Sequence, residues 1–432
     1  MRKFVERVLV VVLSVFVVLP VFATEINSEG NTFAPYSIKA QFIGGVLFPH
    51  NKTYISPLVK GPMLGGEVAF EWNTDGSKPW HYHFNKPSLG LAFQAIDLGN
   101  PEILGQMMAL YPYLNIPLYK NRTLSFNIKI GCGLDYCTKP FDSENAKLDP
   151  REPEEMAADY NFAIGGPVGV TAMAALNLDV KLHKNILFTA DVSFSHFSTG
   201  NTYSPNYGLN LFNGYVGLKY LPVYKEKPAQ VDTLPAITKR WSGEIVLSGS
   251  AKKLYYLDNE HYGCASLNVE GYYRTCNQHR VGVGLDVFFS DSFRKTVDVD
   301  ENGKYYWTNE HTYFKRTCIT EDNIANKFRV GFNVANELTV NKVGIFLHIG
   351  MYLYDPIKNM EPGEECIDAL NAGEAPKQKG LFYAYDVQKE DGWCYVRLGL
   401  RYHITPHFLI SGSVKTHLNK VDFAEFGVGY AF

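Results

Sequence analysis

His196 and Ser198 stand two residues apart at the end of a run that alternates apolar and polar residues. A serine hydroxyl is a weak nucleophile until a base takes its proton, and neutral imidazole is the usual base. Residues i and i+2 of a strand project to the same side of a sheet, so the two side chains lie within reach of each other. A third group should orient the imidazole, and an amide or backbone N–H should stabilise the oxyanion. Most His-x-Ser pairs are ordinary strand residues, so the surroundings of this one decide its meaning.

The strand predicted over 186–198 supplies the first such context. Ile186, Phe188, Ala190, Val192 and Phe194 share one face, and His196 and Ser198 continue it; Thr189, Asp191, Ser193 and Ser195 take the other. The next strand, over 209–220, carries Phe212, Gly214, Val216, Leu218 and Tyr220 on one face, and Asn210 has their parity. In a membrane barrel the apolar face meets lipid. His196 and Ser198 then emerge at the rim of a lipid-facing wall, and the loop between the strands can return Asn210 beside them. Three polar side chains on such a wall are costly unless they serve a function. A catalytic His196–Ser198–Asn210 group of this kind requires no metal or cofactor.

The two ends of the chain fit a membrane barrel. Arg2, Lys3 and Arg7 precede an apolar stretch over 8–19, and Val21-Phe22-Ala23 follows, which predicts a signal peptide over 1–23 cleaved after Ala23. No later apolar run is long enough for a membrane helix. Residues 421–432 alternate to the last position and end in Phe432, with Tyr430 two before it. That ending resembles the signal read by the barrel assembly machinery of the bacterial outer membrane, which makes the outer membrane the expected location. The net charge of −3 predicts no nucleic-acid partner. The 28 Tyr, 28 Phe and 37 Gly suit strands better than helices.

Eight alternating segments occupy 36–48, 61–72, 88–98, 107–118, 123–136, 167–182, 186–198 and 209–220. Pro222, Pro228 and Pro235 then punctuate a linker over 222–241, and roughly eight further strands follow over 242–432. The expected fold is all-β: an antiparallel transmembrane β-barrel unit over 24–221 and a second barrel half after the linker. Tandem barrels are favoured over one barrel of about sixteen strands. Tandem closure predicts that the strand ending at Tyr220 pairs with the first strand near Ala40; a single barrel would pair that first strand with Phe432. The tight turns at Lys120–Arg122 and Lys184–Asn185 belong in the periplasm. The acidic loop over 142–159 and the His196–Asn210 loop then face outward. The long 73–87 connection is read as the ends of two long strands.

Several other features have a plainer structural reading. His81 and His83 could offer a metal pair on a strand, but no third ligand is evident, and an interfacial aromatic cluster with Trp80 and Tyr82 is preferred. The acidic loop could hold calcium, but reads better as a solvated loop. Residues 296–308 partly match a calcium loop, yet Asn302-Gly303 reads better as a hairpin turn. His417 falls on the polar face of its strand and is read as an interior residue near Glu425. Cys318 and Cys366 are a candidate loop disulfide, and Leu381–Val387 a candidate extra strand.

The run His196-Phe197-Ser198-Thr199-Gly200, continued by Pro205-Asn206-Tyr207-Gly208-Leu209-Asn210, resembles the signature of the lipid A 3-O-deacylases of the PagL type, grouped with acyloxyacyl hydrolases. The resemblance extends over about 36–225 and is weaker near Lys415-Thr416-His417 and the final strand. It implies an eight-stranded outer-membrane barrel that hydrolyses an ester-linked acyl chain of lipid A, the lipid anchor of lipopolysaccharide. It implies Ser198 as nucleophile, His196 as base and Asn206 as the oxyanion-hole amide. Two positions depart from it: Asn210 stands where the best-known members carry Glu, and Thr199 replaces the usual Asn. The competing reading is a non-enzymatic barrel (pore, adhesin or structural protein) with an inert His-Ser pair.

Overall fold

The computed structural model describes residues 32–147, 153–227, 236–257, 260–308, 318–358, 364–374, 379–385, 391–417 and 420–432. The expected signal peptide over 1–23 lies outside them, as do Pro228 and Pro235 of the linker. Sixteen strands form two closed antiparallel barrels, one after the other along the chain.

The first barrel comprises β1 (Tyr36–Leu47), β2 (Met63–Asn73), β3 (Ser88–Asp97), β4 (Gln106–Lys120), β5 (Leu124–Cys137), β6 (Val168–His183), β7 (Ile186–Ser198) and β8 (Leu209–Tyr220). It closes through β1 and β8, with Ala40 opposite Leu218. The second comprises β9 (Trp241–Lys252), β10 (Tyr262–Cys276), β11 (His279–Ser290), β12 (Phe328–Val340), β13 (Val343–Tyr354), β14 (Cys394–His403), β15 (Phe408–His417) and β16 (Lys420–Ala431). It closes through β9 and β16, with Leu247 opposite Val428. Closure is therefore tandem.

Eight strands enclose a lumen just wide enough to be filled by side chains, and here both fillings are charged. In the first barrel Lys129 Nζ lies 2.9 Å from Glu67 Oε1, Lys219 Nζ lies 3.0 Å from Glu71 Oε2, and the Tyr113 hydroxyl donates to Glu71 at 2.8 Å. In the second, Arg280 donates to both carboxylate oxygens of Glu337 at 2.9 and 2.8 Å, and Arg401 joins Glu244 and Glu270. Pairing offsets the desolvation that would otherwise forbid these charges. The outward faces are apolar, with Val192 69% exposed and Val216 52%. Apolar surface wrapped around a charged interior is the inverse of a water-soluble barrel and matches a bilayer. The chain is an outer-membrane β-barrel protein.

The outer end of the first barrel is closed differently. Leu47, Ile55, Leu58, Met63, Ile96, Met107, Phe197, Leu209 and Leu211 form an apolar cluster there. It is this plug that sets the orientation of the neighbouring polar residues.

Four expectations need correction. The 73–87 connection is not a strand extension: β2 ends at Asn73, and a short helix α1 (Pro79–His83) fills the gap. Proline is suited to a first helical turn. His81 and His83 consequently sit on a helix, and His81 Nδ1 lies 3.1 Å from Asp75 Oδ1 and 3.2 Å from the Gly76 N–H. His417 is buried inside the second barrel, but its partners are the Tyr352 hydroxyl at 2.7 Å and Asp391 at 3.7 Å. Glu425 is taken instead by Arg397, Ser266 and Ser413. Residues 381–385 form no strand, and 386–387 lie outside the described residues. The 296–308 segment is a hairpin, Val297–Val299 paired with Tyr305–Trp307, in which Asp300 Oδ1 accepts from the Asn302 and Lys304 N–H groups. Cys318 and Cys366 are disulfide-bonded, with Cα atoms 6.0 Å apart. Among the described residues, no group of three or more His, Cys, Asp and Glu is arranged to hold a metal ion.

Candidate active site

The site is set by register. Along β7 and β8, Phe197 faces Leu209 and His196 faces Asn210. Phe197 and Leu209 are fully buried in the apolar plug. Strand alternation then sends His196, Ser198 and Asn210 to the outer face. Directly opposed residues of an antiparallel pair have Cβ atoms about 5 Å apart, and here the side chains meet: His196 Nδ1 is 2.7 Å from Asn210 Oδ1. A carboxamide oxygen only accepts, so Nδ1 carries the proton of this bond and Nε2 keeps its lone pair. The main-chain carbonyl of Asn210 accepts from the Phe48 N–H at 2.8 Å, which ties the end of β8 to the chain leaving β1.

Ser198 is the last residue of β7 and is 7% exposed. Its hydroxyl donates to Asn206 Oδ1 at 3.1 Å, and the Thr199 N–H donates to the same oxygen at 2.9 Å. Asn206 thus grips the Ser198–Thr199 segment from the returning loop. Two residues on, Gly208 has φ +73, in the left-handed region. A Cβ there would lie 2.7 Å from His196 Cε1 and 3.3 Å from Nε2. Glycine is needed for the turn and for its close approach to the imidazole.

Two further loops hold that turn in place. The Tyr207 and Gly208 N–H groups donate to the Phe162 and Ala163 carbonyls at 3.4 and 2.9 Å. The Tyr207 ring stacks on Tyr54, centroids 4.5 Å apart and planes 19° apart. His50 Nε2 lies 3.0 Å from the Tyr207 carbonyl, and the Tyr54 hydroxyl donates to Glu154 at 3.3 Å. Burial, with Glu154 nearby, pushes the Tyr207 phenol up to about 12.

The structure thus pairs His196 with Asn210 and Ser198 with Asn206, at the same end of β7. The supporting residues His50, Tyr54, Phe162 and Ala163 do not announce themselves in the sequence. His50 is 157 positions from the carbonyl it meets, and nothing in its local pattern signals the contact.

Residues 241–363 and 379–432 match the family model for the acyloxyacyl hydrolase C-terminal domain. The match covers the second barrel; His196 and Ser198 are on the first. No curated protein matches the chain. Among solved structures, the Neisserial surface protein A is 6% identical over 45% of this chain and 99% of its own, with a TM-score of 0.29. The outer membrane enzyme PagL is 10% identical over 42% of this chain and 98% of its own, at 0.25. The Pseudomonas putida toluene transporter TodX is 9% identical over 94% and 88%, at 0.17.

Proposed function

We propose that this outer-membrane protein, of acyloxyacyl hydrolase type by the match of its second barrel, is a serine esterase that removes an ester-linked acyl chain from lipid A in the outer leaflet. The observation that carries the reading is the His196–Asn210 bond beside Ser198, on the outward face of the wall and next to the loop that returns Asn206. Below the site the same face continues as Phe194, Val192, Phe212 and Val216, all exposed. An acyl chain can lie along these side chains while its ester reaches Ser198, without leaving the apolar medium.

In the proposed reaction the Ser198 hydroxyl leaves its bond to Asn206 Oδ1 and passes its proton to His196 Nε2. Oγ bonds to the ester carbonyl carbon. Asn210 accepts from Nδ1 throughout and fixes the ring orientation, as the third member of such groups does. The negative oxygen of the tetrahedral intermediate is assigned to the Asn206 amide nitrogen; one such donor can be worth about 3 kcal/mol. The bond between the former carbonyl carbon and the sugar oxygen then breaks, and the leaving sugar alkoxide takes the proton from His196. Water, deprotonated by His196, cleaves the Ser198 acyl ester, releases a fatty acid and restores the hydroxyl. The expected partners are lipopolysaccharide as substrate and the barrel assembly machinery during insertion.

A fluorophosphonate probe tests the nucleophile. The folded protein in detergent should gain one adduct, mapped by mass spectrometry to Ser198 and lost in Ser198→Ala and His196→Ala. Labelling of neither the wild type nor any variant contradicts an activated serine and favours the inert-barrel reading.

A further inference from the structure

The second barrel carries a built cleft that plays no part in the chemistry above. Its short connections, at 277–278, 341–342 and 404–407, lie at one end. Its long ones follow β11 and β13 at the other end, where outer-membrane barrels place their extracellular loops. The connection after β11 contains the Val297–Val299/Tyr305–Trp307 hairpin; the one after β13 contains helix α2 (Glu364–Asn371). Between them is a cleft of about 500 Å³, lined by Tyr305, Tyr306, Trp307, Asp300, Lys304 and Asp368 among others. That volume falls within the range of small-ligand sites, roughly 300–1,000 Å³.

The two walls of the cleft are joined to each other. Val297 and the Cys318–Cys366 disulfide form a buried floor, against which Tyr305, Trp307 and Ile367 pack. The Asn371 side chain accepts from the Tyr305 N–H at 2.7 Å and donates to its carbonyl at 3.3 Å, which clamps helix to hairpin. Such preorganisation lowers the ordering cost of binding. Water-facing hairpins are normally polar, yet this one carries three consecutive aromatic residues: Tyr305 and Trp307 are half-buried on one face, and Tyr306 is 49% exposed on the other. Carboxylates stand at both sides of them.

We propose that this cleft binds a neutral saccharide on the outer surface. A pyranose offers an apolar C–H face to an aromatic ring and a rim of hydroxyls to flanking acceptors. The half-buried rings of Tyr305 and Trp307, which share one face of the hairpin, supply the apolar platform. Asp300 and Asp368 accept hydroxyl protons in charge-assisted bonds, and Lys304 donates. Two carboxylates against one lysine disfavour phosphate and other anions. The site stands independently of the esterase reading.

The test uses the full-length protein in detergent micelles with two neutral probes, maltoheptaose and cellohexaose. Binding is followed by saturation-transfer NMR and tryptophan fluorescence. Saturable binding of at least one probe is expected, with Kd on the order of 1 mM. Trp307→Ala and the surface variant Asp368→Ala should each weaken it about tenfold, while Ser198→Ala leaves it unchanged. Heat-modifiable gel migration checks that each barrel is folded. No saturable binding of either probe, equal binding by wild type and folded Asp368→Ala, or displacement by inorganic phosphate would overturn the proposal.

Discussion

His196 and Asn210 are direct cross-strand partners in the β7–β8 register, and the imidazole Nδ1 lies 2.7 Å from the carboxamide oxygen. A neutral amide can fix the tautomer and orientation of the ring. It cannot stabilise the imidazolium by charge as a carboxylate does. Asn210→Asp should therefore raise kcat for deacylation, by about tenfold, and Asn210→Leu should lower it by about a hundredfold, within the usual range for general-base contributions. Steady-state kinetics on purified lipid A give the comparison; equal rates for Asn210, Asp and Leu would remove position 210 from the mechanism.

Gly208 leaves no room for a side chain beside the imidazole. In Gly208→Ala the new Cβ would meet His196 Cε1 at 2.7 Å on a backbone already at φ +73. Displacing a catalytic group by about 1 Å can cost on the order of a hundredfold in rate. The variant should keep heat-modifiable migration and lose both deacylation and fluorophosphonate labelling. Wild-type labelling would mean that the turn does not constrain the ring.

Tyr54 acts at a distance, through Tyr207 and the Asn206–Gly208 turn. Its ring stacks on Tyr207, and the two hydroxyls are also hydrogen-bonded to each other. Tyr54→Ala should reduce kcat by about tenfold with little change in KM, whereas Tyr54→Phe should stay near wild type. An equal loss in both variants would mean that the hydroxyl bonds to Glu154 and Tyr207 matter more than the stack, and no loss in either would remove Tyr54 from the account.

The α1 connection should respond to pH. Burial, larger than the opposing pull of Asp75, lowers the His81 pKa below 6.5, and nearby Lys78 lowers it further. Between that lowered value and 6.5 an opened segment binds more protons than the closed one. Closed-state stability is thus full above about pH 6.5 and falls as pH drops below it. The structure shows the bond at stake: Nδ1 can accept from the Gly76 N–H only while unprotonated, and once protonated it would donate to Asp75. The hydrogen-exchange protection factor of Gly76, corrected for intrinsic rate, should decline from pH 7 to pH 5. A flat profile, or one that also declines in His81→Gln, would rule out this titration.

Much of the molecule was legible because a barrel strand writes its two environments in alternate residues. The β7 pattern from Ile186 to Phe194 gave the outward parity of His196 and Ser198, and the same parity in β8 placed Asn210 beside them. Tandem closure was foreshadowed by the aromatic strand ending at Tyr220 and the prolines after it. Legibility failed where no repeating pattern exists. Helix α1 is one turn long and aromatic, so its Trp80–His83 stretch reads as well for a strand. The partner of His417 depends on which interior side chains reach across the lumen, which parity cannot tell: Arg397 claims Glu425, and Tyr352 and Asp391 remain for the histidine. The support given to Asn206 and Gly208 by His50, Tyr54 and Ala163 comes from loops far apart in the chain, fixed by tertiary packing alone.

The central claim is that Ser198 opens an acyl ester of lipid A. Mass spectrometry of lipid A from outer membranes of cells expressing wild type or Ser198→Ala, at matched levels of folded protein, tests it most directly. The account predicts that wild type shifts lipid A to a species lacking one acyl chain, and that Ser198→Ala leaves it intact. An unchanged lipid A profile with wild type, or the same loss with both proteins, would contradict it.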